Sequence, residues 1–160
     1  MEKISSQLLQ TMIESAAHNL CNNSKMVNDL NVFPVPDGDT GTNMSLTFSG
    51  AEAIYEKSNN IGDMARSLAS SALRNARGNS GVILSQFIRG IAVGSENTQS
   101  FDYNSFKTAF ESGKEYAYNA VAVPTEGTIL TLIREGSDFL NSHTFDDFEE
   151  LFTSLIKELH

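Results

Sequence analysis

Asp37 and Asp39 stand two residues apart around Gly38, inside the stretch Asn31-Val-Phe-Pro-Val-Pro-Asp-Gly-Asp-Thr-Gly-Thr-Asn43-Met44. Pro34 and Pro36 fix φ and push Phe33 and Val35 toward extended conformations, so the backbone arrives stiff. Gly38 lets the loop bend until both carboxylates aim at one point. Carboxylates held that close repel, and a hard divalent cation relieves the repulsion. Thr40-Gly41-Thr42-Asn43 follows directly. The reading places the next helix after Gly41, with its pattern resuming at Met44, so backbone N–H groups and short polar side chains gather at a helix start. That is a phosphate seat. Metal beside phosphate is the chemistry of a bound nucleotide.

An acidic surface turn is the plain alternative, because Asp-Gly is common turn chemistry. A calcium loop of the EF-hand kind fails on spacing: with Asp37 as position 1, Thr42 occupies the glycine slot and Phe48 the glutamate slot. No Gly-Lys-Ser/Thr occurs, so there is no Walker loop. The remainder of the chain decides between turn and site.

Its 160 residues suit one domain, residues 1–160, that buries roughly 70 % of the unfolded surface. Hydrophobic content of 40 % and charged content of 19 % describe a globular chain. A formal charge of -9 argues against nucleic acid as partner. It leaves a nucleotide open, because magnesium supplies positive charge locally. Cys21 is the single cysteine, which excludes a disulfide framework and fits a reducing cytoplasm. The N-terminal residues lack a signal-peptide core, and no apolar run approaches membrane-spanning length. The expectation is a cytoplasmic chain with no transmembrane segment.

Seven helices and no strand are expected. The first runs from Ser5 or Ser6 to Leu20, with Ile4, Leu8, Met12, Ala16 and Leu20 on one stripe widened by Leu9 and Ile13. Asn22 to Lys25 breaks it. A second carries Met44, Phe48, Ala51 and Tyr55 to about Lys57; a third, capped by Asp63, carries Met64, Leu68, Ala72 and Ala76. A fourth starts at Val82, a fifth is capped by Asn104 with Phe106, Phe110, Ala117 and Val121 inward, and a sixth opens at Thr128. Thr144 with Asp147 reads as a capping box for the last, whose Phe148, Leu151, Phe152 and Leu155 face inward. Glu149, Glu150 and Glu158 are its solvated face, and His18 lies off its own helix's apolar stripe. The fold class is all-α.

Three breaks are built alike, namely Gly41-Thr42-Asn43, Gly78-Asn79-Ser80-Gly81 and Glu126-Gly127-Thr128. Each sets glycine and hydroxyl or amide residues before a helix, where the backbone can approach a ligand and unpaired N–H groups wait. Any one alone reads as ordinary capping. Three of them, one fused to a paired-carboxylate loop, favour a shared phosphate and metal site. Arg74 and Arg77 could assist, although arginines on a helix surface more often serve in ion pairs. No protein nucleophile accompanies the site: Cys21 lacks a suitably placed histidine, and His18, His143 and His160 are scattered. Phosphoryl transfer tolerates that, since the protein mainly positions the nucleotide and neutralises charge.

These motifs carry a resemblance. The stretch from Asn31 to Met44, Ala76-Arg-Gly-Asn-Ser-Gly-Val-Ile-Leu-Ser-Gln86, and Val123-Pro-Thr-Glu-Gly-Thr-Ile-Leu130 resemble the nucleotide-binding domain of the dihydroxyacetone-kinase L family. In their fuller form they are similar to the first domain of bacterial fatty acid kinases. The resemblance runs over nearly the whole chain in order. It implies an antiparallel helical barrel that holds ATP or ADP and two magnesium ions at one end. On that basis Asp37 and Asp39 would be catalytic metal ligands. Asn31 falls roughly where relatives hold a third aspartate and would be a further metal ligand. Thr40, Gly41, Thr42, Asn43, Asn79, Ser80, Gly127 and Thr128 match the nucleotide contacts.

The resemblance further implies that a separate fatty-acid-binding protein presents a carboxylate, and that the product is an acyl phosphate. In the dihydroxyacetone branch the substrate sits on a sister subunit instead. Family members carry a later Asp-Ala-Gly-Gly or Asp-Pro-Gly-Ala stretch over the nucleotide, which has no match here. The expectation is therefore an N-terminal fragment or shortened version of a protein with further domains, with homodimerisation left open. Three functions stay in play: a fatty acid kinase domain, the nucleotide subunit of a glycerone kinase, and a non-catalytic nucleotide-binding module.

Overall fold

The computed structural model describes residues 3–49 and 59–159. Eight helices form among these residues: α1 Ser6–Asn22, α2 Ser24–Asp29, α3 Thr40–Phe48, α4 Ile61–Asn75, α5 Gly78–Gly94, α6 Tyr103–Asn119, α7 Ile129–Ser142 and α8 Phe148–Glu158. No strand forms among them, so the fold is all-α. Their one extended pairing is an isolated bridge, with Ile4 and Phe101 exchanging backbone hydrogen bonds of 2.8 and 2.9 Å. Both side chains are fully buried there.

The helices differ from expectation mainly at their starts. α1 starts at Ser6, within the expected bounds, and Ser5 caps it by accepting from the Leu8 amide. The break at Asn23 is real, but the chain re-enters a helix at once, adding the short α2. Asn60, not Asp63, caps α4, and Asp63 lies in the first turn as the N–H donor to the Asn60 side chain. Asp102, not Asn104, caps α6 in a capping box with Ser105. Asp147 caps α8 directly by accepting from the Glu149 and Glu150 amides, leaving Thr144 outside that role. In each case an Asn or Asp a few residues away offered a competing cap of the same chemistry. Of the α1 stripe, Leu8, Leu9 and Met12 pack against the core, while Ala16 is exposed. Ala51, Tyr55 and Lys57 of the expected second helix lie outside the described residues.

Helix direction sets the layout. Gly90 of α5 packs so closely on α6 that a Cβ there would lie 2.4 Å from the Ser112 carbonyl oxygen, while Gly94 faces Ala109. Rising numbers on one helix meet falling numbers on the other, so the pair is antiparallel. α4 likewise opens where α5 closes, with the Gly62 amide donating to Thr98 O at 3.1 Å. α7 runs back along α6: Tyr118 lies beside Leu130, and the Tyr103 hydroxyl reaches Leu140 O and His143 O at the far end. The end of α4 and the starts of α3, α5 and α7 therefore gather at one pole. The capped starts of α1, α4 and α6 occupy the other. Apolar clusters fill the space between: Ile4, Ile61, Phe101, Leu140 and Leu151 at the far pole, and Ala65 to Ala92 between α4 and α5.

One polar contact ties α6 to α7 and makes the fold sensitive to acid. Glu111 accepts from Ser137 and, at 3.0 Å, from Asn141, and pairs with Lys114 at 2.5 Å. Partial burial opposes its ionisation, but the hydrogen bonds from Lys114, Ser137 and Asn141 outweigh it and hold the carboxyl below the usual glutamate range. A carboxyl depressed in the folded state stabilises above its unfolded pKa and loses that contribution as pH falls through the folded value. The melting-temperature gap between wild type and Glu111→Gln is thus widest near neutrality and closes from about pH 4.3 downward. Thermal melts across pH 3–7 check this, and a gap that does not change with pH would refute it.

Candidate nucleotide and metal site

The loop from Asn31 to Asp39 is braced from within. Asn31 Nδ2 donates to Val35 O at 3.0 Å, and Asn31 Oδ1 accepts from the Asp39 amide at 3.3 Å. The Asp37 amide donates to Val35 O at 3.0 Å, and the Phe33-Pro34 peptide is cis. The two amide hydrogen bonds hold the backbone at both aspartates, and both residues are exposed. Asn31, expected as a third metal ligand, has both side-chain polar atoms engaged in this brace.

Directly afterwards the helix begins earlier than the glycine suggested. Asp39 is the N-cap of α3, its carbonyl accepting from the Asn43 amide at 2.8 Å, so Thr40, Gly41 and Thr42 form the first turn. Glycine is needed at position 41 for a packing reason. A Cβ would lie 2.1 Å from the Ser24 carbonyl oxygen, because α2 crosses there. Asn28 of α2 grips the same turn: its Oδ1 accepts from the Thr42 amide at 3.1 Å and its Nδ2 donates to Thr42 Oγ1 at 2.9 Å. Asn28 was not among the residues expected from sequence. Its spacing from the Asp37–Asp39 loop carried no motif, and only the fold brings α2 against α3.

The second break meets the first. α5 starts at Gly78, four residues before the expected Val82, with Gly78 at φ 59° turning the chain into the helix. Asn43 lies directly on it: a Cβ at Gly78 would sit 2.3 Å from Asn43 Nδ2, and one at Gly81 would sit 2.6 Å from Thr47 Oγ1. Two helix N-termini therefore converge. Among the described residues, the amides of Thr40 and Gly41 in α3, and of Gly78, Asn79 and Ser80 in α5, have no hydrogen-bond partner. Free N–H groups at the positive ends of two helix dipoles attract anions.

The third break is placed at the same pole but is tied differently. Ile129, at the start of α7, packs on the α4–α5 cluster together with Met44 and Phe48 of α3. Thr128 caps α7 by accepting from the Leu130 amide and donates to Thr125 O. The Gly127 amide is engaged by Thr131 Oγ1 at 2.7 Å, so it is not a free donor. Hydrogen bonds from Thr131 and Arg134 hold the exposed Glu126 carboxyl below its usual range, and Tyr118 adds a third. Contacts bring Asn43, Gly78 and Gly81 together. They do not bring Gly127 or Thr128 against them. Arg77 is exposed and donates to Ala76 O, and neither it nor Arg74 forms an ion pair among the described residues.

No group of three or more His, Cys, Asp or Glu side chains able to hold a metal occurs among the described residues. A magnesium ion here would be held by Asp37 and Asp39, with its other oxygen ligands supplied by phosphate and water, as is usual for an ion that binds through one or two carboxylates. The donor set fits a metal that arrives with a nucleotide. The seat is exposed at Asp37, Asp39, Thr42 and Asn79, while Gly41 is buried. The clefts of about 230 Å³ beside α4 and α5 and about 420 Å³ beside α6 and α7 include none of its residues. No helix among the described residues is long and apolar enough to cross a membrane.

Comparison with known proteins gives the chain a family. An uncharacterized protein of Staphylococcus saprophyticus is 42 % identical over 162 residues, covering 99 % of this chain and 29 % of its own length. Uncharacterized proteins of Staphylococcus epidermidis and Staphylococcus aureus are 46 % and 45 % identical over 139 residues, covering 86 % of this chain and 25 % of theirs. The chain thus spans less than a third of the length of the curated relatives it matches. Residues 34–160 match the DAK2 domain. That domain is like the nucleotide-binding subunit of dihydroxyacetone kinase, and its family is associated with kinase function and binds ADP or ATP with magnesium in general. The match reaches from the proline-braced loop to the end of the chain and takes in all three breaks: this chain belongs to the DAK2 domain family.

Proposed function

We propose that this chain is the ATP- and magnesium-binding domain of a kinase that phosphorylates a fatty acid carboxylate. A separate acyl-binding protein presents that carboxylate, and the product is an acyl phosphate. One observation carries the nucleotide half of the reading. The starts of α3 and α5 meet at the Asn43–Gly78 contact, with unpartnered amides beside the loop that holds Asp37 and Asp39. The fatty acid half is supported by the fuller form of the three motifs, which is similar to that of fatty acid kinases.

In this reading Asp37 and Asp39 hold magnesium against the phosphates, and Asn31 keeps the loop at its working angle. The amides of Thr40, Gly41, Gly78, Asn79 and Ser80 hold phosphate oxygens, Asn43 links the two starts, and the turn at Gly127 and Thr128 borders the nucleotide. Bound magnesium neutralises charge that develops on the β- and γ-phosphoryl oxygens. A carboxylate oxygen of the acceptor forms the new bond to γ-phosphorus as the bond to the β,γ-bridging oxygen breaks, and ADP leaves with that electron pair. The protein contributes position and charge, and needs no nucleophile of its own.

Calorimetric titration with ADP, with and without magnesium, tests the nucleotide half: heat that appears only with magnesium supports it, and none under either condition refutes it. The DAK2 match favours one second reading, the nucleotide subunit of a glycerone kinase. Transfer of labelled phosphate to a dihydroxyacetone-loaded subunit, and none to a fatty acid on its binding protein, would decide for it.

A further inference from the structure

We infer that Asn28 is a positioning residue that aims the Thr42 hydroxyl proton at bound phosphate. The inference rests on the nucleotide reading above and adds a residue to it from outside the three glycine-led breaks. Donor and acceptor roles carry it. An amide N–H can only donate, so the Asn28 atom facing the Thr42 amide, 3.1 Å away, is the carbonyl oxygen Oδ1. The orientation of the Asn28 amide group follows, and its Nδ2 faces Thr42 Oγ1 at 2.9 Å as a donor that cannot accept. Thr42 Oγ1 is therefore the acceptor in that bond, and its own proton must donate elsewhere.

A threonine in a helix often turns that proton onto a carbonyl three or four residues back. Thr47 does so onto Asn43 O at 2.8 Å, and Thr108 onto Asn104 O at 2.9 Å. Thr42 does not: its proton has no acceptor among the described residues, although it stands in the same turn as the unpartnered Thr40 and Gly41 amides. The Asn28 bond fixes the position of Oγ1, and the hydroxyl proton remains a side-chain donor beside two backbone donors at the start of α3. A phosphate oxygen is the acceptor such a trio suits. Asn28 itself is held in place. Its carbonyl accepts from the Asn31 amide at 3.0 Å, so the same residue anchors the carboxylate loop and the first turn of α3.

The test is a double-mutant cycle in the full chain, read as Mg-ADP affinity by calorimetry, with melting temperature followed in parallel. Asn28→Asp keeps the acceptor for the Thr42 amide but replaces the donor with an oxygen that draws in the hydroxyl proton. Thr42→Val removes the hydroxyl and keeps the shape. Each is expected to weaken Mg-ADP binding about tenfold or more, as for loss of a hydrogen bond to a charged group. In the Thr42→Val background Asn28→Asp should add much less than it does alone, because its target is gone. Thr42→Ser, which keeps the hydroxyl, should bind near the wild-type level. Additive losses, or a Thr42→Val chain that binds as wild type does, would overturn the inference while leaving the nucleotide reading intact. A wild-type chain that binds no Mg-ADP would remove both.

Discussion

Replacing Asp37 and Asp39 together by asparagine is expected to lower Mg-ADP affinity by roughly 100-fold or more and to leave the melting temperature within about 2 °C of wild type. The affinity figure follows from ligand chemistry. Losing a residue that only orients a metal ligand typically costs roughly 10–100-fold in metal affinity, and losing two direct ligands costs at least the upper end of that range. The stability figure follows from the structure. Both residues are exposed, the Asp37 side chain makes no hydrogen bond or ion pair among the described residues, and the Asp39 side chain makes no capping bond. What these positions give the fold comes from their backbone: the amides held by Val35 and Asn31, and the Asp39 carbonyl that receives the Asn43 amide. Asparagine keeps all of that. Calorimetry with and without magnesium, beside a thermal melt, separates the outcomes. Unchanged affinity with a melting temperature several degrees lower would make the pair structural turn residues and remove the metal from the site.

How far the sequence led depends on which physical signal each feature used. Helix interiors were legible because burial follows the 3.6-residue period: Met64, Leu68 and Ala72, and Phe148, Leu151 and Leu155, face inward as the spacing predicts. Helix starts were less so. At residues 78–80 glycine and polar side chains read as a loop, yet they form the first turn of α5, because a first turn needs no N–H partner and Gly78 can take positive φ. The same misreading delayed α3 past Gly41, where glycine answers to Ser24 across the helix pair, a contact that no local signal around Gly41 announces. The shared residue types led to the expectation that all three breaks converge; contacts join only the first two, and their joint, Asn43 upon Gly78, is tertiary. Asn28 left no trace in the sequence, since a lone asparagine at a helix end has several ordinary explanations.

Gly41→Ala is the second large effect, and it reaches stability and binding through one contact. The new Cβ would stand 2.1 Å from the Ser24 carbonyl oxygen, 2.8 Å from its carbonyl carbon and 2.9 Å from its Cα. All three are backbone atoms, so no rotamer change relieves them, and either α2 or the first turn of α3 must move. Overpacking of that kind costs about 1–3 kcal/mol, and a domain of this size loses roughly 2–4 °C of melting temperature per kcal/mol. The displacement also carries Asn28, on α2, away from Thr42, on α3, so Mg-ADP affinity should fall beyond what the stability loss explains at temperatures where the variant is fully folded. Asn28→Asp separates the two consequences. It disturbs the hydroxyl without moving a helix, and should weaken binding with a much smaller change in melting temperature. If Gly41→Ala binds Mg-ADP as well as wild type while melting several degrees lower, the α2–α3 contact serves the fold alone. In that case the phosphate seat does not depend on the position of α2.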